Sequence, residues 1–462
     1  MAGLHGLYHS HSTRKPEIRQ KFKHFGVFRN LKCVKQAVFF ALHGRRFIST
    51  SRILYQETIK NEREKVHFPG ATESYFTNKM QFIQSIDPIP TYRVMDRQGK
   101  IDDPLNEPQV TEEFAVKIYK DMITLNVLDL ILYEAQRQGR ISFYMTNYGE
   151  EAYIGSAAGL DSEDVVFGQY RESGVLLYRG FTLDEFMDQC YSNEKDLGKG
   201  RQMPVHYGSK KLNFQTISSP LATQIPQASG AAYSLKMAGQ KNCVMCYFGE
   251  GAASEGDFHA ALNIAATMKC PVIFFCRNNG FAISTPALEQ YKGDGIASRG
   301  IGYGIDTIRV DGNDVWAIYN VTKAARKLAV EEHRPTLIEA MTYRIGHHST
   351  SDDSSAYRSK KEVEDWKRLD NPIIRFRNWL EDKNWWNEKV ESEFRTLIRK
   401  EILNAFSKAE KYRKPSITEL FNDVYDHPTP NIIAQRQKLK QLIEKYPKNY
   451  PLENFRNEGK DL

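Results

Sequence analysis

Two polar segments in the middle of the chain contain the residue types needed to hold a phosphate group through a divalent metal ion. Residues 249–251 are Gly-Glu-Gly, and residues 278–279 are both asparagine. Glu250 and Asn279 supply hard oxygen donors, and Mg²⁺ takes few such protein ligands while phosphate oxygens and water complete its shell. Arg277 offers a forked donor to the same phosphates. The pattern therefore predicts a diphosphate site with bound Mg²⁺.

One β-α-β unit must position these residues. Residues 243–248 and 271–276 are short apolar runs typical of buried strands, and the stretch between them is helical in pattern. Ligands of such sheets bind at the carboxyl ends of the strands, where a helix start offers free N–H groups to an anion. Gly251 and Ala252 are small enough for the backbone to approach it. A nicotinamide site is not favoured, because G-x-G-x-x-G is missing.

The alternation of apolar runs and helical stretches continues from about residue 150 to 345. It predicts an α/β fold, a parallel sheet with crossover helices. A long helix begins at Glu112 and Glu113 and ends at Gly139. Before it, residues 57–110 are punctuated by proline and predict an extended arm with a short hairpin around 92–101. Beyond residue 360 the chain is helical and charged.

Composition argues against two kinds of partner. The longest apolar runs, residues 37–42 and 271–276, are far shorter than the ~20 residues of a membrane-spanning helix, so no membrane span is expected. Residues 1–56 contain eleven Lys or Arg and one acid, so this segment carries +10 and, from the net +7, the remainder carries −3. A mildly acidic body argues against nucleic acid as a partner.

The basic N-terminal segment predicts a targeting signal. An Arg-rich, Ser-containing and acid-poor N-terminus is the composition of a mitochondrial transit peptide, and residues 45–51 are a reasonable place for cleavage. A basic arm without that role is the alternative. Cys243 and Cys246 form a C-x-x-C inside a strand, where residues three apart point to opposite faces, so they are expected to be buried hydrophobes rather than metal ligands.

The β-α-β unit resembles the thiamine-diphosphate motif, in which GDG is followed after a similar interval by NN. Here 26 residues, 252–277, separate the two parts, and Glu250 stands where the pattern has Asp. From about residue 105 to 460 the chain is similar to the α subunits of branched-chain 2-oxo acid dehydrogenases. Pyruvate dehydrogenase α subunits resemble it more loosely, especially around His347 and His348. The segments that carry the likeness are residues 216–232, 249–257, 277–285 and 344–359.

This resemblance implies a thiamine-diphosphate-binding fold and roles for individual residues. Glu250, Asn279 and the backbone carbonyl of Phe281 would hold Mg²⁺; the last position is commonly Tyr in the family, and a backbone ligand should tolerate Phe. Ser219 and Leu221 would line the reaction chamber. The residues implied around the diphosphate or the substrate are Gln169, Tyr170, Arg171, Gly251, Ala252 and Arg277.

A second ion site is implied at the turn before a helix. Ser218, Pro220, Thr223 and Gln224 look like the family's structural K⁺ site, which is built from oxygens on such a turn. From the residues alone, the same stretch is a helix start and nothing more.

His348 matches a family histidine that reaches the reactive end of the cofactor. There it would donate a proton and stabilise negative charge while the acyl group passes to lipoyl on a transacylase. Without the resemblance, a histidine in a polar loop is more often simply exposed. No role is assigned to His347.

The same loop resembles a regulatory switch. Ser349 matches the family's phosphorylation site and Ser359 a second, less consequential one, which implies a regulatory kinase and phosphatase as partners. A phosphate adds about −1.5 to −2 charges. Beside Asp352 and Asp353 it should repel, disorder the loop and block lipoyl docking. A solvated loop of serines and acids without regulation is the alternative.

One necessary part of a thiamine site is missing. Activation of the cofactor requires a carboxylate from a second domain of similar fold, yet the chain has space for one such unit and shows no internal repeat. The glutamate is therefore expected from a β subunit in an α₂β₂ heterotetramer, and the chain alone should be inactive.

The predicted organisation has four segments: a transit peptide (1–50), an extended arm (51–110), a thiamine-diphosphate-binding domain (111–360) and its helical C-terminal extension (361–462). The predicted function is oxidative decarboxylation of branched-chain 2-oxo acids in the mitochondrial matrix. Two alternatives stay open. One is the α subunit of a pyruvate dehydrogenase, and the other is a non-catalytic phosphate-binding or regulatory protein.

Overall fold

The computed structural model describes residues 65–66, 68, 70–71, 74–84 and 87–462. The predicted transit peptide and its cleavage region lie outside the described residues. The chain divides into two compact units, Met1–Gln84 and Ser85–Leu462. In the first, Lys65–Val66 (β1) pairs antiparallel with Ser74–Tyr75 (β2). The second unit contains every residue of the predicted site.

A parallel sheet of seven strands organises the part of the second unit that is described. Its strands are Thr91–Tyr92 (β3), Val165–Phe167 (β4), Phe214–Gln215 (β5), Val244–Gly249 (β6), Val272–Asn278 (β7), Asp306–Asp311 (β10) and Thr336–Met341 (β11). A separate antiparallel hairpin joins Phe281–Ala282 (β8) to Thr285–Pro286 (β9). The order across the sheet is β3-β10-β11-β7-β6-β4-β5, and all its pairs are parallel. The predicted α/β fold is confirmed.

Helices cover both faces of the sheet and form the C-terminal region. Those up to residue 332 are Glu112–Arg137 (α1), Ile154–Ala158 (α2), Ser173–Arg179 (α3), Leu183–Tyr191 (α4), Gln224–Met237 (α5), Gly256–Met268 (α6), Ala287–Gln290 (α7), Ala297–Gly302 (α8) and Val315–Glu332 (α9). The C-terminal helices are Lys360–Leu369 (α10), Pro372–Asp382 (α11), Glu388–Ala409 (α12) and Pro430–Lys445 (α13). Across the described ranges, none of the helices combines the length and apolar character that crossing a bilayer requires.

The central strands are buried on both sides, as their apolar runs predicted. On β6, Met245 and Tyr247 belong to the core beneath α1 and α9, whereas Cys246 and Phe248 belong to the core beneath α5 and α6. This division follows from the two-residue period of a strand. Cys243 and Cys246 accordingly fall in different cores, and both are buried free thiols. The expectation that they are small buried hydrophobes is confirmed.

Part of the predicted arm joins the sheet. Thr91–Tyr92 pairs with Arg309 and Val310 of β10, and the chain after it is held because Asp314 accepts hydrogen bonds from the amides of Val94 and Met95, both at 2.7 Å. An antiparallel bridge between Met95 and Ile101 corresponds to the predicted hairpin. The segment from residue 87 to the start of α1 therefore packs as an edge of the α/β unit.

Candidate active site

The loops that carry most of the predicted site residues leave the sheet at one edge. In the sheet register, Gly249 of β6 is opposite Arg277 of β7, and Asn278 of β7 is opposite Met341 of β11. On the other side, Phe167 of β4 is opposite Cys246. Because these neighbouring strands are parallel, the loops that follow them converge at their carboxyl ends. They contain residues 168–172, 250–255, 279–280 and 342–359.

Glu250, Asn279 and Phe281, the predicted Mg²⁺ ligands, are adjacent in the structure. Glu250 is buried, and its Oε2 accepts a hydrogen bond from the backbone N–H of Asn279 at 3.4 Å. The backbone N–H of Phe281 donates to Asn279 Oδ1 at 3.3 Å, and the Phe281 carbonyl accepts from Arg344 at 3.4 Å. Glu250 Oε1 has no hydrogen-bond partner among the described residues.

A bound cation would offset the free-energy cost of burying the Glu250 carboxylate. Burial raises the pKa of Glu250 to about 7, and the charge of Glu150 adds to the increase. A buried carboxylate oxygen without a partner is costly unless a cation or a proton accompanies it. The oxygens of this cluster are of the type that Mg²⁺ prefers. These residues therefore fit a hard divalent cation. In the described part of the chain there is no group of three or more His, Cys, Asp or Glu arranged to hold a metal ion.

Arg277 is already paired with two carboxylates. Its guanidinium contacts Glu150 at 3.1 Å and Glu172 at 2.7 Å, and all three side chains are buried. Glu172 in turn accepts hydrogen bonds from the backbone N–H groups of Gln169 and Tyr170, at 2.7 and 2.8 Å. Arg277 thus connects the end of β7 to the loop after β4, whereas the sequence suggested only a phosphate contact.

The loop after β4 contacts both neighbouring loops. Gln169 Oε1 accepts from the amide of Gly249 at 2.8 Å, and Arg171 donates to the carbonyls of Thr146 and His348. The Tyr170 ring meets the His348 ring edge to face, with 6.0 Å between centroids. The structure therefore brings the predicted diphosphate residues of this loop beside His348.

The small residues after Glu250 are required by close packing. A Cβ at Gly251 would lie 2.9 Å from the Cβ of Ala282 on the hairpin after β7. Gln290 donates to the Gly251 carbonyl at 3.2 Å, and Ala252 is fully buried at the start of the turn Ala252–Ser254. Any larger side chain at residue 251 would separate the two loops of the predicted cofactor unit.

His348 is held as a neutral imidazole. Burial, followed by the charges of Arg171 and Arg344, lowers its pKa to about 3. An Arg344 nitrogen lies 3.3 Å from Nδ1, and because a guanidinium can only donate, Nδ1 must accept. The proton of the neutral ring is therefore on Nε2. In this state His348 presents an N–H donor to whatever occupies the site.

Side-chain contacts hold the loop around His348. The Tyr357 hydroxyl donates to Asp352 at 2.6 Å and accepts from Arg344 at 2.9 Å, while Asp352 also accepts from the His348 amide at 2.8 Å. Arg358 donates to the backbone carbonyls of residues 344–346. These contacts join the charged and hydroxyl residues that the sequence places in the loop.

The two serines predicted as phosphorylation sites differ in environment. Ser349 is buried, and its hydroxyl accepts from the Ser351 amide at 3.2 Å. Thr350 beside it exchanges two hydrogen bonds with Tyr144, at 3.0 and 3.1 Å. Ser359 is exposed and caps α10 by accepting from the Glu362 amide at 3.1 Å.

The turn predicted to hold K⁺ leads into α5. Thr223 donates to the Pro220 carbonyl at 3.1 Å, and Gln224 donates to the Tyr247 carbonyl at 3.1 Å. Ala222 has a φ of 69°, a backbone conformation uncommon for residues other than glycine. Ser218 and Leu221, like Ser219, are exposed at this turn.

Ser219 has a partner that the sequence did not suggest. Its hydroxyl lies 2.7 Å from Nε2 of the buried His206, whose Nδ1 lies 3.1 Å from the Pro204 carbonyl. Only a protonated Nδ1 can bond that carbonyl, so in a neutral ring Nε2 accepts from Ser219. Sequence reasoning also missed Glu150 and Glu172. Glu172 adjoins Arg171 and could have been suspected from that, whereas Glu150 and His206 have no local signal.

Comparison with known proteins identifies the family. The dehydrogenase E1 component family matches residues 119–418. The 2-oxoisovalerate dehydrogenase subunit alpha, mitochondrial, of Homo sapiens is 59% identical over 403 residues, 87% of this chain and 90% of the relative. The protein of that name from Dictyostelium discoideum is 58% identical over 386 residues, 82% and 87% of the two chains.

A plant relative is also similar. The 2-oxoisovalerate dehydrogenase subunit alpha 1, mitochondrial, of Arabidopsis thaliana is 54% identical over 401 residues, 86% of this chain and 85% of the relative. The chain thus belongs to the dehydrogenase E1 component family and, within it, to the mitochondrial 2-oxoisovalerate dehydrogenase alpha subunits, which confirms the family predicted from the sequence.

Proposed function

We propose that this chain is the α subunit of a 3-methyl-2-oxobutanoate dehydrogenase. With a β subunit it catalyses the oxidative decarboxylation of branched-chain 2-oxo acids in branched-chain amino acid catabolism, using thiamine diphosphate. The acyl group passes to lipoyl on a transacylase. The observation that carries this proposal is the unpartnered Glu250 oxygen, which lies beside Asn279 in a chain of this family.

The residues at the sheet edge suit the predicted cofactor and metal. When bound, thiamine diphosphate supplies a nucleophilic carbon and an electron sink for the decarboxylation. Glu250, Asn279 and the Phe281 carbonyl would hold Mg²⁺. Gln169, Tyr170, Arg171, Gly251, Ala252 and Arg277 would surround the diphosphate or the substrate, with Ser219 and Leu221 lining the chamber. K⁺ would be held by Ser218, Pro220, Thr223 and Gln224.

His348 is the proposed catalytic residue. Its Nε2–H can donate to a negatively charged oxygen, and the low pKa keeps the ring neutral at physiological pH. The edge-to-face contact with Tyr170 and the Arg344 contact at Nδ1 restrict the ring's orientation. A ring fixed in this way can donate this hydrogen bond without first reorganising.

The activating carboxylate is proposed to come from the β subunit in an α₂β₂ heterotetramer. Relatives named as alpha subunits support a partner of this kind. Their names also say mitochondrial, which supports the transit peptide (1–50) and the proposed matrix location. The proposed boundaries are those of the arm (51–110), whose residues from 87 onward pack against the α/β unit, of the cofactor domain (111–360) and of the helical extension (361–462).

Regulation by a kinase and a phosphatase is proposed at Ser349, with Ser359 as a lesser site. Because Ser349 is buried, the loop must open before a kinase can reach its hydroxyl. A phosphate there would meet Asp352, which closes the loop through Tyr357 and the His348 amide. The added negative charge would break those bonds by repulsion, and the loop would stop presenting His348.

Three measurements test the function. The α and β subunits are co-expressed, and turnover of 3-methyl-2-oxobutanoate is compared with that of pyruvate. We expect a clear preference for the branched substrate, whereas preference for pyruvate would contradict the substrate assignment.

Calorimetry of the same complex should detect binding of thiamine diphosphate with Mg²⁺. Failure to bind would leave a non-catalytic role, and substantial decarboxylation by the chain alone would contradict the need for the β subunit.

A further inference from the structure

Glu150 is a buried carboxylate beside the proposed metal site, and the proposed function gives it no role. Its Oε1 accepts a hydrogen bond from Asn279 Nδ2 at 2.9 Å, and its Oε2 accepts from Arg277 at 3.1 Å. The residue is 1% exposed. Both partners lie at the end of β7 or just after it, more than 120 residues along the chain from Glu150.

The contact with Asn279 matters because a side-chain amide has two ends of nearly the same shape. One end donates and the other accepts, and an ionised carboxylate can only accept. The Nδ2 end of Asn279 must therefore face Glu150, which directs Oδ1 to the opposite side. There Oδ1 accepts from the Phe281 amide at 3.3 Å, on the loop whose carbonyl is the third proposed metal ligand. A rotated amide would place two oxygens against each other at Glu150.

Arg277 holds Glu150 in the position that this orientation requires. The guanidinium is always charged, and its second carboxylate, Glu172, holds it from the other side at 2.7 Å. The Glu150 carboxylate is thus fixed at one oxygen by Arg277 and presents the other to Asn279.

We propose that Glu150 is a positioning residue for the metal site, and that it fixes the Asn279 amide with Oδ1 turned toward the cation. This inference rests on the proposed function, because it requires Asn279 to bind the metal. Residues that orient metal ligands from behind commonly change metal affinity by about 10- to 100-fold when they are replaced.

A double-mutant cycle tests the orientation itself. The probe is Mn²⁺, whose binding to the α/β complex with thiamine diphosphate is followed by electron paramagnetic resonance. Glu150→Ala should weaken Mn²⁺ binding by about tenfold or more. In an Asn279→Asp background either carboxylate oxygen can face the metal, and Glu150 would repel the new charge. Glu150→Ala should then leave Mn²⁺ binding unchanged or strengthen it.

Two further variants separate orientation from folding and charge. Glu172→Gln also removes a carboxylate that pairs with Arg277, but it leaves the hydrogen bond between the Asn279 side-chain amide and Glu150 in place. It should therefore weaken Mn²⁺ binding less than Glu150→Ala does. If Glu150→Ala does not fold, the nearly isosteric Glu150→Gln replaces it. Its neutral amide is a poorer acceptor, so it should weaken binding about threefold or more in the wild-type background and not in the Asn279→Asp background.

The outcomes separate this proposal from the proposed function. A wild-type complex that binds no Mn²⁺ with thiamine diphosphate overturns the function and this role together. If the wild-type complex binds Mn²⁺, equal losses from removing Glu150 in the wild-type and Asn279→Asp backgrounds overturn the role alone, because Glu150 would then support the fold. An unchanged affinity in both backgrounds overturns it as well.

Discussion

The cofactor unit (residues 244–279) and the His348 loop (residues 342–359) meet at one sheet edge, but different contacts hold them. Strand pairing positions the cofactor unit, since Gly249 and Arg277 are opposite each other at the ends of β6 and β7. Side chains hold most of the His348 loop, chiefly Arg358, Tyr357 and Asp352. Strand pairing is cooperative, whereas each side-chain hydrogen bond contributes only about 1 kcal/mol.

The difference indicates how the two regions respond to change. A residue placed by strand register, such as the proposed metal ligand Glu250, stays in position when its side chain is altered, so such a change should remove chemistry without unfolding the site. A loop closed by a few side-chain bonds should open when one of them is lost or when a charge is added.

Replacing Glu250 with Ala should have the largest effect. Thiamine diphosphate with Mg²⁺ should bind the α/β complex at least about 100-fold more weakly, since loss of a direct ligand exceeds the effect of an outer-shell residue. Calorimetry measures the affinity, and melting should change little. Glu255→Ala is the matched control, because this exposed glutamate belongs to the same loop. Unchanged affinity in Glu250→Ala would contradict the proposed metal site at Glu250.

Replacing His348 with Ala should slow acyl transfer to lipoyl by about 100-fold, because the N–H donor that stabilises negative charge is lost. Decarboxylation followed with an artificial electron acceptor should slow much less. Stopped-flow measurement of the two steps checks this difference. His347→Asn is the control from the same loop, since His347 contacts Ser354 rather than the site. Equal losses in both steps would contradict a role confined to acyl transfer.

Tyr357→Phe tests the side-chain closure of the His348 loop. It removes the hydroxyl bonds to Asp352 and Arg344, so amide hydrogen exchange in residues 342–359 should speed up by about 5- to 30-fold. Residues 244–249 should not change. Tyr303→Phe, which removes a hydroxyl bond to His259 instead, is the control. Equal acceleration in β6 would show that the two regions open together.

Glu151→Gln should have the smallest effect of these substitutions, and the size of its effect on stability should depend on pH. Glu151 adjoins Glu150, which contacts Asn279, and lies two residues from Gly149, whose carbonyl accepts from Thr342. Glu151 accepts from the Gly149 backbone N–H at 2.9 Å, and burial raises its pKa to about 8. The folded state therefore binds a proton more tightly than the unfolded state, so this carboxyl stabilises the wild type fully below about pH 4 and loses its contribution as pH rises to about 8.

Glutamine does not titrate, so the difference in melting temperature between wild type and Glu151→Gln should decrease as pH rises from 5.5 to 8.5, by about 2–4 °C. Asn126→Ala is the control, because it removes the Asn126 side chain that donates to Glu151 but leaves the Glu151 carboxyl free to titrate. Asn126→Asp would not serve, because it adds a charge. A pH-independent difference would show that Glu151 is ionised throughout this range.

Much of the fold was predictable because its signals are local. Thr111 caps the helix Glu112–Arg137, whose acidic first turn and apolar spacing were visible in the sequence. The strands at residues 244–249 and 272–278 correspond to the apolar runs at 243–248 and 271–276, and those at 165–167, 306–311 and 336–341 fall within the alternating stretch predicted from about residue 150 to 345. The edge strand Thr91–Tyr92 was missed because two residues in a proline-rich stretch carry no periodicity.

The candidate site was predictable in part. The spacing singled out Glu250 and Asn279, which are adjacent in the structure, and resemblance to the family singled out the loop around His348. Arg277 was expected to face phosphates, and the structure adds that Glu150 and Glu172 pair with it. No pattern near Glu150 identifies it, because its partners lie more than 120 residues away.

By itself, the sequence determined the β-α-β unit, the residue types at its two loops and the family, because strand and helix patterns and motif spacing are properties of neighbouring residues. Only the tertiary structure decided that Glu250 keeps an unpartnered oxygen, that His348 is neutral and that Ser349 is buried. Burial and charge pairing depend on which distant segments pack together, and these two effects set the protonation and accessibility of each group.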